Sequence, residues 1–470
     1  MTTIQTATQV SFVSSLGEKL HGSIVRIADK LITFELLRVE CSLRMSEVLT
    51  EFEVTDEPNQ QIIYQGKAIL QNLIDSSTTT LCEARLTDAI PPETFYVPEN
   101  LSTGDFREAF FSRWQTAYRV IPEYKLAVAD LHTLLFDLRR LFDHIELTQG
   151  SAGISKKRLT PDAEAALIRE FQPALTPLFQ RFEEVAGLVS KRGENLADYH
   201  AYGRRLLHPF VLASPFMNRI FTKPLGYAGD YEMMNMINRA ACGGNSIFAK
   251  LLDAFLLAQA PADAVRNRVE YFCRRIGEES SRAQAAGRTA KIWTLGCGPA
   301  QEVQQAIKRF PWVDDIHFRL LDFNDETLVH TKGKTSDLIR QYNRQTKVEM
   351  VKQSVHSLLK EMDKNPVAGA ESFDLIYCSG LYDYLSNKVC KKLDTYLFKR
   401  LAPGGVLIVT NFDPYTNIRN IMEHLFDWFL IYRDAREFRT LAPEQVPDDD
   451  CFVVAEDSGC NIFLEARKRI

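Results

Sequence analysis

The sequence has no run of about 18 consecutive apolar residues, the least that a membrane-spanning helix needs. Its most apolar stretch, residues 425–432, is short and carries Asp427, so no stable membrane insertion is expected. The amino terminus, Met-Thr-Thr-Ile-Gln-Thr, lacks a basic segment followed by an apolar one; no secretory signal is expected and the chain reads as cytoplasmic. Nine cysteines form no Cys-x-x-Cys pair and are odd in number, which speaks against a disulfide framework and against zinc. Several sit in apolar runs such as Ile376-Tyr377-Cys378, where a thiol acts as a small buried hydrophobe. No metal site is expected. A formal charge of -5 over 470 residues makes no field for nucleic acid or an anionic membrane, and neither is an expected partner. What remains is a globular composition, 45% hydrophobic and 25% charged, without low-complexity tracts and long enough for two or three folding units.

Three regions follow from the patterning. Residues 8–90 read as all-β, with short β-rich runs at 20–27, 31–36, 51–54, 62–70 and 78–86 separated by turn-like breaks; five or more such strands suggest a small barrel. Pro91, Pro92 and Pro98 mark a linker. Residues 105–270 are mainly helical. Phe110, Phe111, Trp114 and Tyr118, then Leu131, Leu134, Leu135, Leu138 and Leu141, recur at steps of three and four, and Thr160-Pro161 opens a further helix. One stretch, 221–234, breaks this pattern with Lys223-Pro224 and two glycines, Gly226 and Gly229, around Tyr227. Two glycines three apart suit a loop whose backbone approaches a ligand or a neighbouring segment closely, and Asp230 can cap the Met-rich helix after it. A purely structural turn is the alternative.

From residue 291 strand and helix alternate, the mark of a parallel α/β sheet. Residues 292–295 form an apolar strand that runs into Gly296-Cys297-Gly298-Pro299-Ala300, followed by a helix over 301–309. A tight glycine turn of this kind aims backbone amides at a ligand. A second strand, 318–322, ends in Asp322, placed 24 residues beyond Gly298, where an acid can accept both hydroxyls of a ribose. A further strand, 372–380, ends in Ser379-Gly380. A helix over 392–400 leads through Leu401-Ala402-Pro403-Gly404-Gly405 into strand 406–410, and residues 451–466 make a hairpin.

Taken in order, these motifs resemble the class I S-adenosylmethionine-dependent methyltransferases over residues 271–470. The resemblance implies a Rossmann-like, mostly parallel seven-stranded sheet that takes S-adenosylmethionine and leaves S-adenosylhomocysteine. It places Gly296, Cys297, Gly298, Asp322, Phe323, Ser354, Val355, Ser379 and Gly380 around the cofactor. A nicotinamide dehydrogenase would want G-x-G-x-x-G, but Gln301 holds the third glycine position. Two departures stand out. Thr294 occupies a place where the family often has an acid, and Glu302 is either its substitute or simply a charge at a helix amino terminus. The segment 350–355 lacks the acid that often meets the adenine amine, leaving Ser354 or the Val355 backbone to serve.

The barrel resembles a degenerate PilZ-type domain without that family's RxxxR pair or its D/N-x-S-x-x-G turn. The whole chain is similar to a bacterial group that makes the 3-hydroxypalmitic acid methyl ester signal of quorum sensing. This implies O-methylation of a fatty-acid carboxylate, a small-molecule partner that needs no general base. The alternatives are another small metabolite as acceptor, or a non-catalytic regulator responsive to a cyclic dinucleotide; a homodimer is a further possible assembly. Candidate residues at the acceptor are Tyr227, Tyr382 and Asp383, with Tyr384 and Leu385 packing the next helix. Among histidines, His200, His208, His356 and His424 are the candidate bases. The apolar run 421–432 reads as a helix that covers an apolar acceptor or packs a core.

Overall fold

The computed structural model describes residues 8–28, 30–37, 43–56, 61–75, 79–87, 119–151, 159–192, 196–239, 242–364 and 371–470, with Arg107 and Phe111 as isolated helical positions. The linker prolines and the aromatic positions Phe110, Trp114 and Tyr118 lie outside the described residues.

Six strands, Thr8–Val13, Lys19–Ala28, Leu31–Leu37, Val48–Asp56, Gln61–Asp75 and Thr79–Leu86 (β1 to β6), close into a barrel in the order β1-β2-β3-β6-β5-β4. Every pairing is antiparallel. Period-two alternation turns Val10, Phe12, Ile32, Phe34, Phe52 and Cys82 inward, all fully buried. Phe12, Phe34 and Phe52 lie 5.4–5.9 Å apart, centroid to centroid, so the interior is a packed aromatic core.

Helices follow over Pro122–Ser151 (α1), Pro161–Lys191 (α2), Leu196–Val211 (α3), Pro215–Thr222 (α4), Tyr231–Arg239 (α5), Ile247–Leu257 (α6) and Ala260–Ala285 (α7). Thr160 caps α2 by accepting from the Ala163 amide, and Asp230 accepts from the Met233 amide at the start of α5 while pairing with Arg219. The expected domain boundary at 270/271 falls inside α7. The first half of this helix (Ala262, Ala264, Val265) packs into the helical core, and its second half (Phe272, Ile276, Ala283) packs under the sheet. One rigid element therefore joins the two regions.

The carboxy-terminal region runs Ala290–Leu295 (β7), Gln301–Arg309 (α8), Ile316–Asp322 (β8), Asp325–Gln341 (α9), Lys347–Lys352 (β9), Val355–Lys364 (α10), Phe373–Cys378 (β10), Asn387–Lys399 (α11), Leu401–Phe412 (β11), Arg419–Phe426 (α12), Ala435–Arg439 (α13), Cys451–Ala455 (β12) and Asn461–Arg467 (β13). The sheet order is β12-β13-β11-β10-β7-β8-β9, and β13 alone runs against the rest. The expected Rossmann-like architecture of seven mostly parallel strands is present. Chain order reverses between β7 and β10, and that crevice at the carboxyl ends of the strands is where open α/β sheets bind ligands.

The run 421–432 departs from its expected single helix. Helix α12 stops at Phe426 because Asp427 takes a left-handed conformation (φ 50°), and residues 428–432 continue as irregular chain. The Asp427 carboxylate is fully buried and holds two arginines, Arg85 from the barrel and Arg204 from α3. Arg204 also donates to the His424 carbonyl at 2.7 Å. At the other end of α12, Glu183 of α2 accepts from the Asn420 and Ile421 amides. Tertiary hydrogen bonding thus overrides helical periodicity at this point. The barrel, the helical region and the sheet region meet at one buried carboxylate. No described helix is long and apolar enough to cross a membrane.

Candidate active site

The crevice is built around the loop after β7. Gly296 (φ 63°), Gly298 (φ 50°) and Ala300 (φ 49°) all take left-handed backbone, folding the chain back before α8 begins. The loop is pinned from β8: the Cys297 amide donates to the Leu321 carbonyl, and the Gly298 amide donates to Asp322 Oδ2 at 3.1 Å. Asp322 Oδ1 accepts from the Asn324 amide. Only 5% of Asp322 is exposed. Burial pushes its carboxyl above the usual range, opposed by those amides and by Arg44.

Two cavities share this loop. One is a cleft walled by Asp322, Phe323, Gln353, Val355, Tyr227 and Arg44. The other is an apolar chamber reached between α4, α5, α7 and α12, with Ile220, Val265, Phe412, Met422 and Leu430 in its wall; it encloses about 1180 Å³ of empty space, part of it open to solvent. Gly229, Gly296, Gly298, Ser379, Gly380 and Tyr384 line both. The expected residues Gly296, Gly298, Asp322, Phe323, Val355, Ser379 and Gly380 are therefore brought together. Cys297 and Glu302 line the chamber only.

Several expectations need correction. Tyr382 does not face either cavity; it is fully buried and its hydroxyl donates to Asp394 at 2.5 Å. Tyr384 faces the cavities instead, its hydroxyl accepting from Trp428 Nε1 at 2.9 Å. The reason is local. Residues 382–384 form a 3-10 turn, and the buried Arg433 clamps it by donating to the Tyr382 and Leu385 carbonyls, which directs residue 382 into the core. Tyr227 stands in the Asp322 cleft with its ring 5.0 Å from Phe323, on the side away from the apolar chamber. Ser354 spends its hydroxyl on the Ser357 amide at the start of α10, and its neighbour Gln353 lines the cleft in its place. Thr294 is buried in the sheet and lines neither cavity.

Glu302, by contrast, sits at the polar end of the chamber and accepts from the Tyr377 hydroxyl at 2.7 Å. Burial raises its carboxyl, partly offset by Tyr377 and Arg268. Asp383 reaches the same chamber, accepts from the Phe412 amide at 2.7 Å, and is pushed up by burial to about 7.

Among the described residues, no histidine lines the cleft or the chamber. His424 is enclosed between Tyr124 and Ser190, and burial pulls it down to about 3. His208 binds the Leu425 carbonyl and falls to about 4, also through burial. His200 is buried among helices, and His356 borders a third cavity beneath the barrel.

Gly226 and Gly229 both hold left-handed backbone (φ 84° and 77°). The Gly226 carbonyl accepts from the Val48 amide of the barrel at 2.8 Å. A Cβ on Gly229 would lie 2.8 Å from the Tyr384 hydroxyl, so only glycine fits between the two cavities.

Sequence reasoning missed two cations. Arg44, on the barrel segment between β3 and β4, stacks over Phe323 at 4.1 Å and walls the Asp322 cleft. Arg268 of α7 projects into the apolar chamber beside Gly380. Neither carries a local signature: each is one more basic residue until the fold places it.

No family model matches the chain, and no curated protein matches it. Among solved structures it is similar to a possible exported protein from Bordetella parapertussis (16% identity, 67% of this chain and 100% of that one, TM-score 0.43). It is also similar to magnesium protoporphyrin IX methyltransferase from Synechocystis with S-adenosylhomocysteine bound (11%, 54% and 99%, TM-score 0.33). A third likeness is to the N-methyltransferase NodS from Bradyrhizobium japonicum (14%, 42% and 86%, TM-score 0.27). At TM-scores below 0.5 these likenesses carry no weight for function.

Proposed function

We propose that this chain transfers the methyl group of S-adenosylmethionine to an apolar small molecule, the favoured acceptor being the carboxylate of a 3-hydroxy fatty acid. One observation carries the reading: a cleft with a buried carboxylate at a strand end shares a glycine-rich wall with a chamber whose other walls are apolar. S-adenosylmethionine, when bound, supplies a methyl group on a sulfonium that is both electrophile and leaving group.

The residues present fit that molecule. Asp322 has the position and acceptor atoms for ribose hydroxyls, and Phe323, Tyr227 and Val355 offer faces for a base. Glu302, in the acid's expected corner, suits an ammonium. The glycine floor leaves room at Ser379 and Gly380 for an acceptor to approach from the chamber side. The chain's own task is then alignment and exclusion of water. Full-length protein with labelled S-adenosylmethionine and a panel of 3-hydroxy fatty acids is expected to yield methyl esters. Label transferred only to some other metabolite would remove the fatty-acid part of the reading, and no transfer at all would remove the whole.

Asp383 gives this reading a pH dependence. Its folded value of about 7 lies above the ordinary 3.8, so the protonated form contributes stability that is complete below about pH 4 and is lost as pH rises through about 7. Arg268 and Arg433 face it and restrain the rise. Above pH 7 a carboxylate stands in the chamber wall, and KM for an acidic acceptor is expected to climb. In Asp383→Asn, which keeps an acceptor for the Phe412 amide, both the stability decline between pH 4 and 7 and the climb in KM should flatten. Urea unfolding between pH 4 and 7, and steady-state kinetics on both sides of pH 7, measure them; profiles parallel to wild type would exclude Asp383 as the titrating group.

A further inference from the structure

The apolar chamber holds one feature that methyl transfer to a merely apolar acceptor does not require. Arg268 is 6% exposed, and among the described residues its Nη1 has no hydrogen-bond partner. Its Nη2 reaches the Met234 sulfur, at 3.9 Å. Two acids are near enough to favour its charge, Asp383 and Glu302, yet neither forms an ion pair with it. Asp383 is committed to the Phe412 amide and Glu302 to the Tyr377 hydroxyl. The space in front of the guanidinium is kept open by Gly380: a Cβ there would lie 2.9 Å from Nη1 and 3.2 Å from Nη2. Gly380 also holds a left-handed backbone (φ 83°), and its amide donates to Thr410.

A buried guanidinium without a partner is costly, and the cost is relieved when an anion arrives. Its planar fork matches a carboxylate in two parallel hydrogen bonds, which a neutral acceptor does not offer. Arg268 is the one Lys or Arg among the described residues that line the chamber, beside the acids Glu302 and Asp383, which suits a singly charged carboxylate better than a phosphate.

We propose that Arg268 is the receptor for a carboxylate group presented in the chamber beside Gly380. The identity of that carboxylate rests on the methyl-transfer reading, which supplies two sources: the acid acceptor, or the α-carboxylate of the cofactor's methionine moiety. In the first case the acceptor oxygen forms its bond to the methyl carbon as the carbon–sulfur bond breaks, and that electron pair stays on sulfur. The negative acceptor and the positive sulfonium both become neutral, and Arg268 keeps its protons throughout. The neutral ester then loses the charge-assisted pair and is released. In the second case Arg268 and Glu302 together clamp the two ends of an amino-acid zwitterion.

The test compares full-length wild type with Arg268→Gln and Arg268→Lys by titration calorimetry and steady-state kinetics. Four probes are used: S-adenosylhomocysteine, 5′-methylthioadenosine (which lacks the carboxylate), 3-hydroxypalmitate and its methyl ester. Loss of a charge-assisted pair is expected to weaken the carboxylate-bearing member of one couple roughly ten- to a hundredfold in Arg268→Gln, leaving its carboxylate-free counterpart within twofold. Arg268→Lys should recover part of the loss. A selective fall for S-adenosylhomocysteine assigns the cofactor carboxylate. A selective fall for the fatty acid, seen as raised KM with kcat little changed, assigns the acceptor. Equal effects on both members of each couple, or none on any probe, would overturn the proposal. The methyl-transfer reading fails separately, if wild type binds the acid through Arg268 but does not bind S-adenosylhomocysteine. If wild type binds none of the four, both fall.

Discussion

Replacing Asp427 by alanine is expected to destabilise the whole chain by about 3–5 kcal/mol, the usual result of removing one partner from a buried ion pair. Arg85 and Arg204 both point at this carboxylate from different regions, and both are nearly enclosed. Without it two guanidiniums remain in the interior, and the carboxy-terminal stop of α12 loses its anchor. Alanine also adds about 1 kcal/mol because Asp427 is left-handed (φ 50°). Asparagine tolerates that backbone and retains a hydrogen-bonding side chain, so Asp427→Asn separates charge from conformation and should lose less. Denaturant unfolding followed by fluorescence measures both. If Asp427 ties the barrel to the rest, the variant should also expose sites in residues 8–86 to limited proteolysis before the sheet unfolds. Stability within 1 kcal/mol of wild type for Asp427→Ala would mean that the triad contributes little.

The second large effect concerns Asp322. Its two oxygens hold the Gly298 and Asn324 amides, and the same oxygens face the cleft where a ribose would lie. Asp322→Ala removes both the loop's tether and the acceptor for two hydroxyls. At roughly 1.5–3 kcal/mol for each hydrogen bond to a charged group, affinity for S-adenosylhomocysteine should fall at least a hundredfold. Asp322→Asn keeps one acceptor oxygen and should fall between that variant and wild type. Unchanged affinity in Asp322→Ala would relocate the nucleoside.

The α/β region was legible because its signals are local. Strand, glycine turn and helix follow one another within a dozen residues around Gly296 and Gly298, and α8 is found over the expected 301–309. The barrel's alternation and the cap at Thr160 were legible for the same reason. What the sequence concealed depends on distant partners. Asp427 ends α12 inside a periodic apolar run because arginines from two other regions meet it. Tyr382 and Tyr384 exchange their expected places because Arg433, 51 residues after Tyr382 in the chain, clamps the turn between them. Arg44 belongs to a barrel that the linear reading kept apart from the cleft, and contacts between distant segments, among them Val48–Gly226, Ser46–Phe429 and Arg85–Asp427, bring it there. Arg268 sits in an ordinary helical stretch, with nothing beside it in sequence to mark an unpaired charge.

We place the nucleoside of S-adenosylmethionine in the cleft beside Asp322. Titration of the full-length protein with S-adenosylhomocysteine, and in parallel with NADH, tests it most directly. Saturable one-to-one binding of S-adenosylhomocysteine, weakened at least a hundredfold by Asp322→Ala and absent for NADH, is the predicted result. Binding of NADH with no heat from S-adenosylhomocysteine would contradict it.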